Sequence, residues 1–372
     1  IGAILMVVAG GLGLDAAYRT IDYRTLGLLF GMMVLVAHLS LSGVFAVMAR
    51  WVVLRVSRPV GLLAVIVVAA GVLSALFVND TICLVFTPVV LDLAEARGLS
   101  PLPLLIGLAT GANIGSVATI TGNPQNMLIG GFSAIPYANF AGALAPVAVA
   151  GLVVAVVLIV LLHRREFAAR GFTPVPLPRP RANRVLVGRA LAAVGVVLAL
   201  FFAGQPPAKA AIVVGAALLL TRRVKSWRVY AEVDWSLLLM FAGLFVIVAG
   251  AERQLLSPAA IAAVGALRLG RVWLLSAITA VLSNLVSNVP AVLVLKPFVA
   301  ALAQPRRAWL VVAMASTLAG NLTLLGSIAN LIVAEKAQRR GVTISFRAYL
   351  TVGVPVTLAT IAIGALWLGW MG

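Results

Sequence analysis

The sequence is poor in the residue types from which most enzyme and metal sites are built. Its 372 residues include one cysteine, two histidines and ten acidic residues. A single cysteine, Cys83, excludes an internal disulfide and a cysteine-based metal cluster. Only 10% of the residues are charged and 63% are apolar, whereas a soluble domain has about a quarter charged residues. Too few polar residues remain to cover a soluble surface, so we expect the bilayer to be the solvent.

Long apolar stretches recur from end to end, and each is continuous, not alternating. This pattern predicts an all-α polytopic protein of the cell membrane, in contact with membrane lipids, and excludes an outer-membrane barrel. Three shorter pieces, 80–96, 257–267 and 290–303, are predicted as half-helices or re-entrant arms. The chain begins at Ile1 inside an apolar run, so we expect further sequence before it.

Charge is distributed unequally, with 28 basic residues against 10 acidic ones and a net charge of +18. The basic residues lie mostly in short breaks between apolar runs, as the positive-inside rule predicts for cytoplasmic loops, so no nucleic-acid partner is expected. Segment 163–189 holds seven arginines and four prolines. It predicts an extended basic cytoplasmic linker between a first transmembrane repeat, 1–162, and a second, 190–372.

The two halves share a pattern of polar breaks. Ser74–Thr81 aligns with Ser283–Pro290 at an offset of 209, which also places Pro146 on Pro355. Gly122-Asn-Pro-Gln-Asn126 corresponds to Gly326-Ser-Ile-Ala-Asn330 at an offset of 204. The pattern predicts two structural repeats, and transporters built this way bind their substrate at the repeat interface near the midplane.

These breaks carry the candidate substrate and ion site. Non-helical backbone at membrane depth is tolerated where it lines a cavity or is buried in protein, and helix ends there can bind anions or cations. The alternative is a kink that only shapes packing. The candidate binding residues are Asn79, Asp80, Thr81, Thr119, Thr121, Gly122, Asn123, Asn126, Ser287, Asn288, Pro290, Thr323, Gly326, Ser327 and Asn330.

Asp80 is the strongest single candidate, because a carboxylate at membrane depth is costly and marks function by default. It could bind Na⁺ or carry a proton, or form a structural ion pair with Lys296. No catalytic residue, metal site or cofactor is predicted, and no Walker A, H-E-x-x-H or dinucleotide motif is present. The chain is therefore not expected to be an enzyme. An ion gradient of H⁺ or Na⁺, or a separate ATPase subunit, would supply the energy.

At these positions the sequence resembles the ion transporter superfamily, and within it the ArsB/NhaD-type permeases. The matching stretches are FVNDTICLVFTPVVLDLA, LATGANIGSVATITGNPQNMLIG, LSNLVSNVPAVLVLKP, STLAGNLTLLGSIANLIVAE and ISFRAYLTVGVPVTL. They run through both repeats, and the nearest subgroup is the YbiR-like anion permeases, which are similar to arsenite and silicon efflux transporters.

The resemblance implies a homodimer with inverted repeats, each with a re-entrant hairpin and an interrupted helix. It makes Asn79–Thr81 and Ser287–Pro290 the hairpin tips. Dicarboxylate transporters of the superfamily read Ser-Asn-Thr at both tips, whereas the first tip here reads Val-Asn-Asp and the second lacks the threonine. This departure argues against sodium–dicarboxylate transport.

We therefore expect a secondary transporter that moves a small inorganic oxyacid or oxyanion, of the arsenite or silicic acid type, by proton antiport. The alternatives are a Na⁺-coupled importer of sulfate or a carboxylate, with Lys296 as counter-charge, and a Na⁺/H⁺ antiporter. A channel or a membrane scaffold is less consistent with two repeats of broken helices.

Overall fold

The computed structural model describes residues 1–9, 11–45, 47–48, 56, 58–168, 182–221, 223–255 and 269–371. Over this part of the chain, α-helices and two short 3₁₀ turns account for the regular structure. The helices up to residue 162 are α1 (Gly2–Val8), α2 (Leu14–Thr20), α3 (Tyr23–Ser42), α4 (Pro59–Leu76), α5 (Asn79–Ala96), α6 (Pro101–Ser116), α7 (Pro124–Ser133) and α8 (Tyr137–Leu162). Those that follow are α9 (Arg164–Phe167), α10 (Arg184–Phe202), α11 (Pro207–Leu220), α12 (Ser226–Ala231), α13 (Trp235–Leu255), α14 (Val272–Val286), α15 (Asn288–Ala300), α16 (Pro305–Ala319), α17 (Ile328–Gln338) and α18 (Phe346–Trp370).

The protein is an integral, multi-pass membrane protein. Among the described residues, six helices are long and apolar enough to cross a bilayer. They are α3, α4, α8, α10, α13 up to Arg253, and α18. Lipid-facing side chains are apolar along them: Val149, Val153 and Val157 of α8, for example, are exposed on one face.

Two pairs of helices form hairpins at the predicted polar breaks. α4 and α5 are joined by Phe77 and Val78 in extended conformation. α14 and α15 are joined by Ser287 alone, at φ 76°. The predicted arms 80–96 and 290–303 thus correspond to α5 and α15, while 257–267 lies outside the described residues.

Two helices are interrupted in the middle of the apolar stretches. α6 ends at Ser116, a 3₁₀ turn covers Ile120–Gly122, and α7 begins at Pro124. Correspondingly, α16 ends at Ala319, a 3₁₀ turn covers Leu324–Gly326, and α17 begins at Ile328. The new helices are capped by Asn123, whose side chain accepts from the N–H of Asn126, and by Ser327, whose hydroxyl accepts from the N–H of Ala329.

The same order of elements occurs in 23–162 and in 235–370: a long helix, a hairpin, an interrupted helix and a second long helix. The division of the chain into repeats at 162 and 190 stays a prediction. The predicted linker 163–189 is helical at both described ends, in α9 and in the first residues of α10. α10 begins at Arg184 because the Asn183 side chain accepts hydrogen bonds from the backbone N–H groups of Val185 and Leu186.

α6 is the central element, buried from Pro103 to Ser116 and packed against α4, α5, α8 and α17. Its glycines permit this contact, since a Cβ at Gly115 would lie 2.1 Å from the carbonyl oxygen of Gly71. A second group of helices forms around α3, which packs against α10 and α11. There Gly31 lies against the backbone of Ala211.

Candidate functional site

A network of asparagines joins the first hairpin tip to both interrupted helices. Asn79, at the start of α5, donates through Nδ2 to Oδ1 of Asn113 at 2.9 Å. Asn113 in turn donates through Nδ2 to Oδ1 of Asn321 at 2.9 Å and to Oδ1 of Asn330 at 3.0 Å. The Ser327 hydroxyl donates to Oδ1 of Asn113 at 3.1 Å. Asn113 thus connects elements more than 200 residues apart.

Two asparagines hold the unwound segments in place by equivalent bonds. Asn126 Nδ2 donates to the carbonyl oxygens of Ser116 and Thr119, at 3.1 and 3.0 Å. Asn330 Nδ2 donates to the carbonyl oxygens of Gly320 and Thr323, at 2.7 and 3.1 Å. These carbonyls have left the helical ladder, and each amide therefore satisfies groups that would be unpaired in a membrane interior.

A second connection between the two halves runs through Thr317 on α16. Its hydroxyl oxygen accepts from Asn123 Nδ2 at 3.1 Å and from Gln125 Nε2 at 3.2 Å. Asn123 Nδ2 also donates to Ser116 Oγ at 3.0 Å. Every group in this contact is neutral, so the start of α7 meets the end of α16 through amides and a hydroxyl.

Asp80 follows Asn79 in the first turn of α5 and is 8% exposed. Its carboxylate lies within reach of the backbone N–H of Ala329, at the start of α17. No ion pair in the described part of the chain includes Asp80. A buried carboxylate without a cationic partner is suited to accept a proton or to bind a cation.

The alternative of a structural ion pair between Asp80 and Lys296 is not found among the described residues. The Lys296 side chain is exposed, and its Nζ lies 4.6 Å from the centroid of the Phe132 ring. This cation–π contact joins α15 to α7. It keeps the ammonium group at the Phe132 ring and outside the asparagine network.

The threonines of the first unwound segment form a chain of hydroxyls. Thr119 donates to the carbonyl oxygen of Ala75 near the first hairpin tip, and its Oγ1 lies 3.3 Å from that of Thr121. Thr121 Oγ1 is 2.9 Å from the hydroxyl of Tyr137, the first residue of α8. Gly122 follows, where a Cβ would lie 2.1 Å from the carbonyl oxygen of Ser116, so no other residue fits.

The second hairpin tip is more open than the first. Ser287 is exposed, and Asn288 and Pro290 are half-buried in the first turn of α15. The side-chain oxygen of Asn288 is buried without a partner among the described residues. Asn284 connects this hairpin to the unwound segment, since its Nδ2 donates to the Ala319 carbonyl at 3.0 Å and its Oδ1 accepts from the Thr323 hydroxyl at 3.4 Å.

The structure thus brings most of the predicted residues into one region. Those with direct hydrogen bonds in it are Asn79, Thr119, Thr121, Asn123, Asn126, Thr323, Ser327 and Asn330. Gly122 and Gly326 allow a close backbone approach, since a Cβ at Gly326 would lie 3.0 Å from the carbonyl oxygen of Gly320. Thr81 is half-buried on α5.

Five further residues that were not among the predicted site residues belong to the same region: Asn113, Thr317, Asn321, Gln125 and Tyr137. Asn113, Thr317 and Asn321 could have been found, because they are polar residues inside apolar stretches, and Asn113 and Thr317 lie at corresponding positions at the offset of 204. Tyr137 carries no such signal, since it lies at the start of an apolar helix.

Chemically, the region offers amide and hydroxyl groups and one carboxylate. Across the described residues there is no group of three or more His, Cys, Asp or Glu that could hold a metal ion. Such a site can exchange hydrogen bonds with a small hydroxylated or oxygen-rich solute.

Comparison with known proteins places the chain among membrane transporters. The model of the family described as "Citrate transporter" (CitMHS) matches residues 1–319 and 251–371. The silicon efflux transporter LSI3 of Oryza sativa subsp. japonica is 32% identical over 443 aligned residues, which cover 99% of this chain and 91% of that protein. A transporter named arsB in Dictyostelium discoideum is 24% identical, with 98% and 85% of the two chains covered.

The fold is also similar to a solved structure. The crystal structure of the Alcanivorax borkumensis YdaH transporter, described as having an unusual topology, aligns with a TM-score of 0.63 and 17% identity. The alignment covers 99% of this chain and 88% of that chain. The resemblance to ArsB/NhaD-type transporters is thereby confirmed. The chain belongs to the citrate transporter (CitMHS) family of that superfamily and is a membrane transporter, not an enzyme.

Proposed function

We propose that this protein is a secondary active transporter that moves a small inorganic oxyacid or oxyanion, of the arsenite or silicic acid type, in exchange for protons. The observation that carries the proposal is Asp80, one buried carboxylate placed among neutral amides and hydroxyls where the two halves meet. It would take up a proton from one side of the membrane and release it to the other.

The chemistry of the site supports an uncharged or weakly charged substrate. The hydroxyl groups of an oxyacid can replace the hydrogen bonds that Asn113, Asn123 and Thr317 now make with other side chains. A fully ionised anion would need a cationic partner to offset its desolvation, and the Lys296 ammonium lies over Phe132 instead. The relatives named for silicon efflux and arsB point to the same substrate class.

The recurring order of elements supports two structural repeats, which the proposal takes to be inverted. In the proposed mechanism the hairpin tips and unwound segments of both repeats bind the substrate and the proton, and the helices around α3 form the scaffold of a homodimer. The residues at the four breaks named from the sequence, with Asn113 and Asn321, form the proposed site.

The test is transport in proteoliposomes with the purified protein, under an imposed pH gradient or an imposed Na⁺ gradient. We expect arsenite or silicic acid flux that follows the pH gradient and needs no Na⁺. Asp80→Asn keeps the size of the side chain and removes its proton, and it should abolish the pH-driven flux. The matched control is Asp92→Asn on the same helix, a carboxylate half-exposed and paired with Arg340 at 2.6 Å. Full pH-driven transport by Asp80→Asn would overturn the proposal.

A second candidate is Na⁺-coupled import of an anion such as sulfate or a carboxylate, favoured by the family's description as citrate transporters. The same liposomes decide between the two. Uptake of citrate or sulfate that requires a Na⁺ gradient, without flux of the oxyacids, would establish the second function.

A further inference from the structure

A cavity of about 530 Å³ lies between the helices around α3 and the first unwound segment. Its outer wall is formed by the start of α3, the end of α10 and the start of α11, represented by Arg24, Phe201 and Ala208. Its inner wall is formed by Ile120 of the 3₁₀ turn and by Tyr137. It therefore reaches from the scaffold helices to the backbone that carries Thr119 and Thr121.

The cavity lies on the side of the membrane opposite the basic linker. α8 runs from Tyr137 at the cavity to Leu162, which is followed by Arg164 and Arg165. The end of α3 and the start of α10 lie together at that basic side, since the Asn183 N–H donates to the Ser42 carbonyl at 3.1 Å. By the positive-inside rule, the cavity faces the extracytoplasmic side.

The electrostatics of the cavity favour oxygen-rich solutes with negative character. Arg24 lines it, and no ion pair involves this side chain within the described residues. The first turns of α8 and α11, two helices of 26 and 14 residues, also line it, and helix N-termini attract negative charge. One carboxylate, that of Asp22, lies behind the wall at Gly131 and opposes this preference. It is shielded by the bonds that it accepts from the N–H groups of Arg24 and Thr25 and from the Thr25 hydroxyl.

Tyr137 separates the cavity from the hydroxyl chain of the site. Its ring packs against Phe201 and Phe202 of α10, at centroid distances of 5.0 and 5.3 Å. Its hydroxyl is hydrogen-bonded to Thr121, at 2.9 Å. One side chain thus contacts both the scaffold helix and the unwound segment, and it is 4% exposed.

We propose that this cavity is the extracytoplasmic vestibule of the transport pathway, selective for small oxyanions and oxyacids, and that Tyr137 is its inner gate. The gate opens when the Tyr137–Thr121 bond is exchanged for a bond from Thr121 to a substrate hydroxyl. The substrate class assigned here rests on the proposed function. The access of solutes to the vestibule and its preference for negative charge do not.

The vestibule is tested by cysteine labelling of the full chain in liposomes, in a Cys83→Ala background that removes the single, buried thiol. Ala208→Cys places a reporter on the outer wall. We expect an anionic membrane-impermeant methanethiosulfonate to react at least tenfold faster than a cationic one, after correction for their intrinsic rates. Arg24→Gln should reduce this preference at least threefold. A reporter at the middle of α8, Val153→Cys, whose side chain is 59% exposed on the outer face of the protein, should stay unreactive to both.

The gate is tested with a reporter on the inner wall, Ile120→Cys, which is 3% exposed in the native protein. Tyr137→Phe keeps the ring and removes the hydroxyl, and we expect it to raise the labelling rate of Ile120→Cys at least tenfold. Tyr23→Phe, an exposed tyrosine at the start of α3, is the control and should leave that rate unchanged.

Equal reaction of Ala208→Cys with both reagents, or no reaction with either, would overturn the vestibule. Unchanged labelling of Ile120→Cys in Tyr137→Phe would overturn the gate. Gly131→Cys on the facing wall is a second reporter if Ala208→Cys does not fold, because an added Cβ there meets only Asp22, at 3.6 Å. The labelling experiments do not depend on transport. If the wild-type protein moves no oxyacid, the proposed function is overturned, and the labelling rates still test the vestibule.

Discussion

Asn113 accepts a 3.1 Å hydrogen bond from the Ser327 hydroxyl, and Thr317 accepts an equivalent bond from Asn123 Nδ2, also at 3.1 Å. Thr317 lies 204 positions after Asn113, and Ser327 lies 204 positions after Asn123, which is the offset that aligns the two unwound segments. Two repeats related by a two-fold axis make such reciprocal contacts where they meet. The pair of bonds therefore supports the proposed repeats and marks the centre of the proposed site.

Asn113→Ala should destabilise the protein more than any exposed substitution. Alanine leaves the amide of Asn79 and the side-chain oxygens of Asn321 and Asn330 without this partner. Unsatisfied buried polar groups cost about 1–3 kcal/mol each. We expect a lower midpoint of thermal unfolding in detergent, followed by tryptophan fluorescence. Asn139→Ala on exposed α8 surface is the control, and an equal midpoint for the two variants would contradict this account.

Gly122→Ala should impair folding, since its Cβ would lie 2.1 Å from the carbonyl oxygen of Ser116. Backbone must move to relieve this overlap, and overpacking typically costs about 1–3 kcal/mol. The yield of monodisperse protein and its unfolding midpoint measure the effect. Gly142→Ala is the matched control: nothing lies within 4 Å of its added Cβ, and alanine favours the helix by about 1 kcal/mol. A stable Gly122→Ala variant would mean that the 3₁₀ turn can rearrange.

The hairpins and the interrupted helices could be predicted from sequence because their causes are local. Gly122, Asn123 and Pro124 stop one helix and cap the next, and Asn79 and Asp80 start α5 inside an apolar stretch. The apolar run 185–203 predicts α10, which begins at Arg184, because Asn183 is a favourable N-cap residue.

The contacts between halves could not be predicted in the same way. Whether Asn113 reaches Asn330 depends on how closely α6 packs on α17, and no pattern within either segment states that. The same limit applies to Lys296. The sequence leaves it as a possible partner of Asp80, whereas the packing of α15 on α7 places it over Phe132.

Lys296→Met should leave pH-driven oxyacid flux within about twofold of the native rate. Methionine keeps an apolar stem against Phe132 and removes the charge, which the structure places outside the asparagine network. Flux in proteoliposomes is the measurement, with Asp80→Asn as the inactive reference. Loss of transport on this substitution would show that the ammonium enters the site in another state and would favour the anion importer.

Removing the Asn330 side chain should lower the stability of the protein more than removing that of Asn126, although the two amides make equivalent bonds to the unwound segments. Asn330→Ala frees the carbonyls of Gly320 and Thr323 and also deletes the acceptor for Asn113, so the central network loses a member. Asn126→Ala frees the carbonyls of Ser116 and Thr119 only, apart from a 3.5 Å contact to Thr317. At roughly 1 kcal/mol per net hydrogen bond, we expect the unfolding midpoint to fall from the native protein to Asn126→Ala and further to Asn330→Ala.

A double-mutant cycle with Asn113→Ala measures the coupling between these residues. The loss of stability in the Asn113→Ala/Asn330→Ala double variant should differ from the sum of the two single losses, whereas in the Asn113→Ala/Asn126→Ala double variant it should equal the sum. Additivity of both would mean that Asn113 and Asn330 act independently and that the halves are not coupled through this bond.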